Sequence, residues 1–182
     1  MRQLDRRVLE LTVEALTKHK GARLSLNVSG MTASDRPTLE AFVSYIESHA
    51  DVAPRLIVEL TETAALIDIE ESMRFVSRVR ALGAKVAIDD FGAGYTSFRN
   101  LQSLNVDMVK VDGSFVKGLA DSRDNQIFVR TLVDLAKNFK LETVAEWVAD
   151  AREADILRAF DVDYLQGFYF GKPEVAEPWT TD

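Results

Sequence analysis

Apolar residues recur along the chain in two alternating patterns, one typical of amphipathic helices and one typical of short strands. Leu4, Val8, Leu11 and Ala15 have helical spacing, which predicts a helix over residues 3–19 with this stripe facing the core. Further helices are predicted over residues 37–49, 69–82 and 123–139 and again before the last strand. About six strands are predicted between them, at 23–29, 56–60, 85–90, 108–112, 143–146 and 164–167. This alternation, without a linker, predicts one parallel α/β domain over residues 1–182.

Polar residues lie toward the carboxyl ends of five of these strands. They are Asn27, Glu59, Asp89 with Asp90, Lys110 with Asp112, and Glu146. In a (β/α) barrel, that end is where side chains of separate strands converge into one site. A single such residue could equally cap a helix or pair with a lysine, but five strands together indicate a shared site.

The residue types at these strand ends favour a hard metal ion. Oxygen ligands without His or Cys suit Mg²⁺ or Mn²⁺. The adjacent Asp89 and Asp90 suit a two-metal arrangement in which water attacks a phosphate. Lys110 would orient that water or stabilise the developing negative charge.

Composition narrows the function classes further. The 182 residues are 47% apolar and 28% charged, as in an ordinary globular domain. The net charge of −7 opposes binding of a nucleic-acid polymer. The absence of cysteine excludes disulfides, zinc thiolate sites and thiol nucleophiles. Neither a signal peptide nor an apolar run of membrane-spanning length is evident, so we expect a cytoplasmic protein without membrane insertion.

Five segments occur in an order that resembles the EAL-domain family of cyclic di-GMP phosphodiesterases. They are Leu24–Ser29, Glu59–Thr63, Asp89–Tyr95, Val109–Asp112 and Gln166–Phe168. The resemblance covers nearly the whole chain. It implies a TIM-like (β/α) barrel and hydrolysis of cyclic di-GMP to linear pGpG with Mg²⁺ or Mn²⁺.

The resemblance also implies a role for each matching residue. The metal ligands would be Asn27, Glu59, Asp89 and Asp90. Lys110 would hold the attacking water, with Asp112 beside it and Glu146 completing the catalytic site. Glu62 would brace the loop from Phe91 to Ser97, and the substrate pocket would include Gln166, Gly167 and Pro173.

Two departures from the family pattern change the expectation for this chain. The family's Glu-Ala-Leu signature lies on a strand ahead of the helix predicted at 3–19, so we expect an incomplete barrel that lacks its first two strands. The Glu14-Ala15-Leu16 tripeptide lies within that helix, where Glu14 is expected to face solvent.

The family's Glu-Gly-Val-Glu segment is Glu146-Trp147-Val148-Ala149 here. Trp147 would narrow the site, stack on a guanine, or pack under a neighbouring loop.

Three functions follow from these observations. The favoured one is a catalytically degenerate EAL domain that binds cyclic di-GMP or takes part in signalling through a protein partner. The alternative is an active phosphodiesterase completed by a longer parent chain. The third is an unrelated Mg²⁺-dependent α/β hydrolase. An open barrel edge would also favour a homodimer or docking to another signalling domain.

Overall fold

The computed structural model describes residues 3–94 and 98–174. Helices and strands alternate along these residues, as the sequence predicts. The elements are α1 (Gln3–Lys18), β1 (Leu24–Val28), α2 (Gly30–Ala33), α3 (Arg36–Glu47), β2 (Leu56–Thr61), α4 (Glu62–Ile67), α5 (Ile69–Ala81), β3 (Lys85–Phe91), α6 (Phe98–Leu104), β4 (Met108–Val111), α7 (Gly113–Val116), α8 (Arg123–Asn138), β5 (Glu142–Ala145), α9 (Ala151–Ala159) and β6 (Tyr164–Leu165).

The strands form one sheet whose order is the order of the chain, from β1 to β6. β1 pairs parallel to β2, with Leu24 opposite Leu56 and Asn27 opposite Glu59. β5 likewise pairs parallel to both β4 and β6. The parallel α/β architecture predicted from the sequence is therefore confirmed.

The chain divides into two compact units. The first comprises Met1–Ile88 and Thr96–Val106, and the second comprises Asp89–Tyr95 and Asp107–Asp182. In the first unit, Phe42 of α3 and Phe75 of α5 meet edge to face at 5.8 Å between ring centroids, and both are buried. In the second unit, buried aliphatic residues of β4, α8 and α9 form the core, including Val109, Val133 and Leu157.

The predicted buried face of α1 is wrong. Leu4 is 74% exposed and Leu11 47% exposed, whereas Leu9, Val13 and Leu16 are buried. Both sets have helical spacing, so apolar periodicity alone does not choose between them. The structure buries the face that also carries Asp5, and polar partners satisfy that carboxylate. Its Oδ2 accepts hydrogen bonds from the hydroxyls of Ser29, at 2.6 Å, and Thr32.

No helix in the described part of the chain has both the length and the apolar character that crossing a membrane requires.

Candidate functional site

Three carboxylates meet where β3 and β5 end in the second unit. Asp89 and Asp90 lie within β3, and Glu146 directly follows β5. One carboxylate oxygen from each of the three lies within 4.8 Å of the other two, so this cluster could hold a metal ion. The structure thus brings together three strand-end residues that the sequence singled out.

Lys110 of β4 lies against the same cluster. Its Nζ is 2.8 Å from Glu146 Oε1 and 3.0 Å from Asp89 Oδ1, and its side chain is only 6% exposed. One ammonium therefore pairs with two of the three carboxylates, which leaves excess negative charge in the cluster. The buried Asp89 Oδ1 has the Lys110 ammonium as its charged neighbour and makes no hydrogen bond of good geometry in the described structure. A buried carboxylate oxygen in this state is well suited to be a cation ligand.

The backbone at the end of β3 turns sharply to present Asp90. Asp90 has φ 54°, in the left-handed region, and Gly92 has φ 103°. A Cβ at Gly92 would lie 2.8 Å from Phe128 Cζ, and Phe128 stacks on Phe115 with ring centroids 4.0 Å apart. Only glycine fits this turn without displacing the stacked pair. Asp89 is buried while its neighbour Asp90 is exposed, so the two carboxylates reach the cluster from different environments.

Asn27, Glu59 and Glu62 lie in the first unit. Asn27 and Glu59 are register partners on β1 and β2, with Asn27 exposed and Glu59 buried. Glu62 is the first residue of α4 and is also buried. The loop that Glu62 is predicted to brace includes residues 95–97, which lie outside the described residues. The metal and bracing roles of these residues stay predictions.

Asp112 directly follows β4 and caps α7. Its Oδ1 accepts a hydrogen bond from the backbone N–H of Ser114 at 2.7 Å. This contact explains why an aspartate stands here without requiring a catalytic role. The predicted catalytic role of Asp112 stays a prediction.

The three predicted substrate-binding residues line one cavity of about 1250 Å³ in the second unit. Gln166, Gly167 and Pro173 contribute to its wall together with Trp147. The backbone of Gln166 bridges two segments, because its N–H donates to Ala145 O at 2.9 Å and its carbonyl accepts from Val148 N at 3.1 Å.

Gly167 permits a very close approach between two stretches of backbone. A Cβ at this position would lie 2.2 Å from Val148 O and 2.3 Å from Val148 N. The glycine therefore allows the 146–149 segment to pack directly against the residues that follow β6.

Glu153 of α9 supports the backbone beside the cluster, and sequence reasoning missed it. Its carboxylate is buried and accepts hydrogen bonds from the backbone N–H groups of Gly118 and Ala149, both at 2.8 Å. It thereby fixes the segment that begins with Glu146. The available signal was the Asp150-x-x-Glu153 spacing, which is typical of a helix start.

Asp150 is the N-cap of α9. Its Oδ1 accepts a hydrogen bond from the backbone N–H of Glu153 at 2.9 Å. This bond, aided by the nearby Arg152 guanidinium, lowers the pKa of the Asp150 carboxyl from its ordinary value although partial desolvation acts in the opposite direction.

Glu14 lies on α1 with its side chain 65% exposed, 3.7 Å from Arg7. The expectation that Glu14 faces solvent is confirmed. The Glu14-Ala15-Leu16 tripeptide is thus part of a surface helix.

The family model described as "EAL domain" matches residues 1–173. The chain belongs to the EAL domain family. It is 30% identical over 176 residues to the cyclic di-GMP phosphodiesterase PdeF of Escherichia coli, covering 94% of this chain and 23% of that protein. It is 34% identical over 155 residues to the cyclic di-GMP phosphodiesterase PdeB of Shewanella oneidensis, covering 83% of this chain and 18% of that protein. The chain therefore spans less than a quarter of the length of these relatives.

Solved EAL domains have the same fold. An EAL domain protein from Listeria monocytogenes has a TM-score of 0.86 at 30% identity, covering 94% of this chain and 69% of that one. The PaMucR phosphodiesterase, solved as a c-di-GMP complex, has a TM-score of 0.83 at 28% identity, covering 97% and 71%. The expectation of an EAL-type α/β barrel fold with about six strands in this chain is confirmed.

Proposed function

We propose that this EAL domain binds cyclic di-GMP together with Mg²⁺ or Mn²⁺ and hydrolyses it slowly or not at all. The observation that carries the proposal is the cluster of Asp89, Asp90 and Glu146 around Lys110. Relatives named as cyclic di-GMP phosphodiesterases and a relative solved with c-di-GMP support the choice of ligand.

The donor set fits a divalent hard cation. Three carboxylates with one ammonium retain net negative charge, and Asp89 Oδ1 is buried without a hydrogen bond. A bound ion would activate water and offset the charge of the phosphate. Asp89, Asp90 and Glu146 would hold it.

Lys110 would act on the reacting groups directly. Its ammonium is fixed between two carboxylates, so it has a defined position and little conformational freedom to lose. In the proposed site it would orient a water molecule or stabilise charge on a phosphate oxygen. Gln166, Gly167 and Pro173 would contact the nucleotide at the neighbouring cavity.

Two substitutions in the Glu146–Ala149 segment support low turnover. The family's segment reads Glu-Gly-Val-Glu, whereas this chain has Trp147 and Ala149 in place of the glycine and the second glutamate. Loss of a carboxylate from a metal-dependent site removes charge that neighbouring residues restore poorly. The second candidate, an active phosphodiesterase, is favoured by the intact set of Asp89, Asp90, Lys110 and Glu146.

Calorimetric titration of cyclic di-GMP into the 182-residue chain, with and without Mg²⁺, tests binding. We expect binding that strengthens with Mg²⁺ and weakens strongly in Asp89→Asn and Glu146→Gln. Asp155→Asn is the matched control, because that carboxylate lies on the surface of α9 with its side chain 74% exposed. Equal binding by the control and the two cluster variants would refute the proposed site.

Chromatographic detection of pGpG separates the two candidates. We expect turnover well below about 1 s⁻¹, a low value for an enzyme. Ordinary turnover by this chain that is abolished in Glu59→Ala would instead establish the active phosphodiesterase.

Association with a second copy or with another signalling domain is also part of the proposal. The exposed apolar face of α1 supports it. The cytoplasmic location stays a prediction.

A further inference from the structure

Trp147 has an unusual backbone conformation for a large aromatic residue. Its φ of 56° lies in the left-handed region, which non-glycine residues adopt at a cost in conformational free energy. Such conformations persist where the surrounding structure enforces them, and they concentrate at functional sites. Trp147 directly follows Glu146 of the carboxylate cluster, so this cost is incurred at the edge of the proposed metal site.

The indole has a supported side and an open side. A Cβ on Gly113 would lie 2.2 Å from the indole Cγ and Cδ2 atoms, so the ring rests directly on the Gly113 backbone. The residue nevertheless remains 60% exposed. Packing under a neighbouring loop does not account for an aromatic side chain held from one side and open on the other.

The exposed part of Trp147 lines the same cavity as the predicted substrate-binding residues. Phe168 and Phe170 also line it, and they are 67% and 49% exposed. Val148, the next residue after Trp147, donates its N–H to the Gln166 carbonyl, which ties the two walls together. The cavity thus joins an aromatic surface to the segment that carries Glu146.

The charges around the cavity favour an anionic ligand. Among its described lining residues, Lys117 and Lys172 are positive and Glu174 is negative. This local excess of positive charge occurs in a chain of net charge −7. Aromatic surface combined with lysine side chains suits a ligand that has both a planar base and a phosphate.

From this arrangement we propose that Trp147 is a binding residue on whose indole one purine base of the cyclic dinucleotide stacks. The inference rests on the proposed function and deepens it, because it assigns a ligand contact to a residue that departs from the family pattern. Gly113 supports the ring, and the 146–149 segment holds it beside the carboxylate cluster.

Tryptophan fluorescence can monitor this contact directly. The sequence has two tryptophans, so Trp179→Phe leaves Trp147 as the sole indole. With Mg²⁺ present, we expect cyclic di-GMP to quench and shift the emission of this variant. Cyclic di-UMP, whose pyrimidines offer less stacking area, is expected to have a weaker effect. Cyclic di-GMP that binds without any change in Trp147 emission would overturn the inference.

Substitution of Trp147 tests how much this contact contributes to the affinity for cyclic di-GMP. Trp147→Gly suits the backbone conformation and removes the ring, so we expect the Kd for cyclic di-GMP to rise roughly 5- to 150-fold, the range for loss of one base–aromatic stack. Trp147→Phe should keep most of the affinity. Tyr164→Ala is the control, since Tyr164 is 44% exposed but does not line the cavity. An unchanged Kd in Trp147→Gly would overturn the inference.

The outcomes separate this inference from the function on which it rests. Binding that depends on Asp89 but not on Trp147 would overturn the stacking contact and leave the proposed function intact. Absence of cyclic di-GMP binding by the unsubstituted chain would overturn both. A Trp147→Gly variant that changes only the oligomeric state would assign this surface to self-association and overturn the stacking proposal.

Discussion

Asp112 shows how a single residue can be assigned to chemistry or to structure. Because its carboxylate caps α7, we expect Asp112→Ala to lower the free energy of unfolding by about 1 kcal/mol in urea denaturation. Asp112→Ser retains a capping oxygen and should keep that stability. If Asp112→Ser folds normally but loses metal-dependent binding of cyclic di-GMP, the carboxylate has a role in the site beyond the cap.

At Gly167 the added volume of one methyl group should be damaging. The Cβ of Gly167→Ala would collide with Val148 backbone atoms, which cannot move as a flexible side chain would. We expect a loss of roughly 1–3 kcal/mol in the free energy of unfolding, as for other overpacked sites. Gly171→Ala is the matched control, because nothing lies within 4 Å of its added Cβ. Equal stability of the two variants would show that the 146–149 backbone moves to accommodate the added methyl group, which would contradict the prediction.

At the level of elements, the six strands could be predicted because each is a short apolar run between helices. The carboxylate cluster could also be anticipated, since Asp89, Asp90 and Glu146 lie at strand ends. The short helices α2, α4, α6 and α7 were not predicted, because four to seven residues are too few to establish a helical period. The contact between Trp147 and Gly113 depends on tertiary packing between distant segments, so no local pattern could reveal it.

We expect the orientation of α1 to depend on Asp5, and removal of its carboxylate should measure that dependence. Asp5→Ala leaves the hydroxyls of Ser29 and Thr32 without this acceptor. We expect this loss to lower the free energy of unfolding by roughly 1–3 kcal/mol. The control is Glu14→Ala on the exposed side of the same helix. We expect its free energy of unfolding to remain within about 0.5 kcal/mol of that of the unsubstituted chain. Thermal and urea denaturation of both variants provide the comparison, and an equally small effect would mean that apolar packing alone orients α1.

The start of α9 should contribute a pH-dependent term to stability. The Glu153 N–H lowers the pKa of Asp150 in the folded chain, so the folded state binds a proton there less readily than the unfolded state. The stabilisation is therefore present above the ordinary aspartate pKa of about 3.9 and is lost as the pH falls through the lower folded value. We expect the stability difference between the native chain and Asp150→Ser to narrow over that acidic range. A difference independent of pH would contradict the assignment.

At the scale of the whole molecule, the exposed side of α1 predicts self-association. Leu4, Val8 and Leu11 share one face of the helix and are 74%, 36% and 47% exposed. Single exposed apolar residues are ordinary, but three on one helix face form an apolar surface that a second copy can cover. Among the described strands, β1 is also an edge that pairs only with β2.

Light scattering at micromolar concentration measures this association. We expect a particle larger than the 20.3 kDa of one chain, and we expect Leu11→Lys to shift it toward the monomer by placing a charge within the apolar face. Met73→Lys is the matched control, because Met73 is an exposed apolar residue of α5 with 39% exposure. If Met73→Lys dissociates the particle equally, the α1 face is not the contact. If the unsubstituted chain remains a 20.3 kDa particle throughout, the exposed leucines of α1 are compatible with a stable monomer, and the prediction fails.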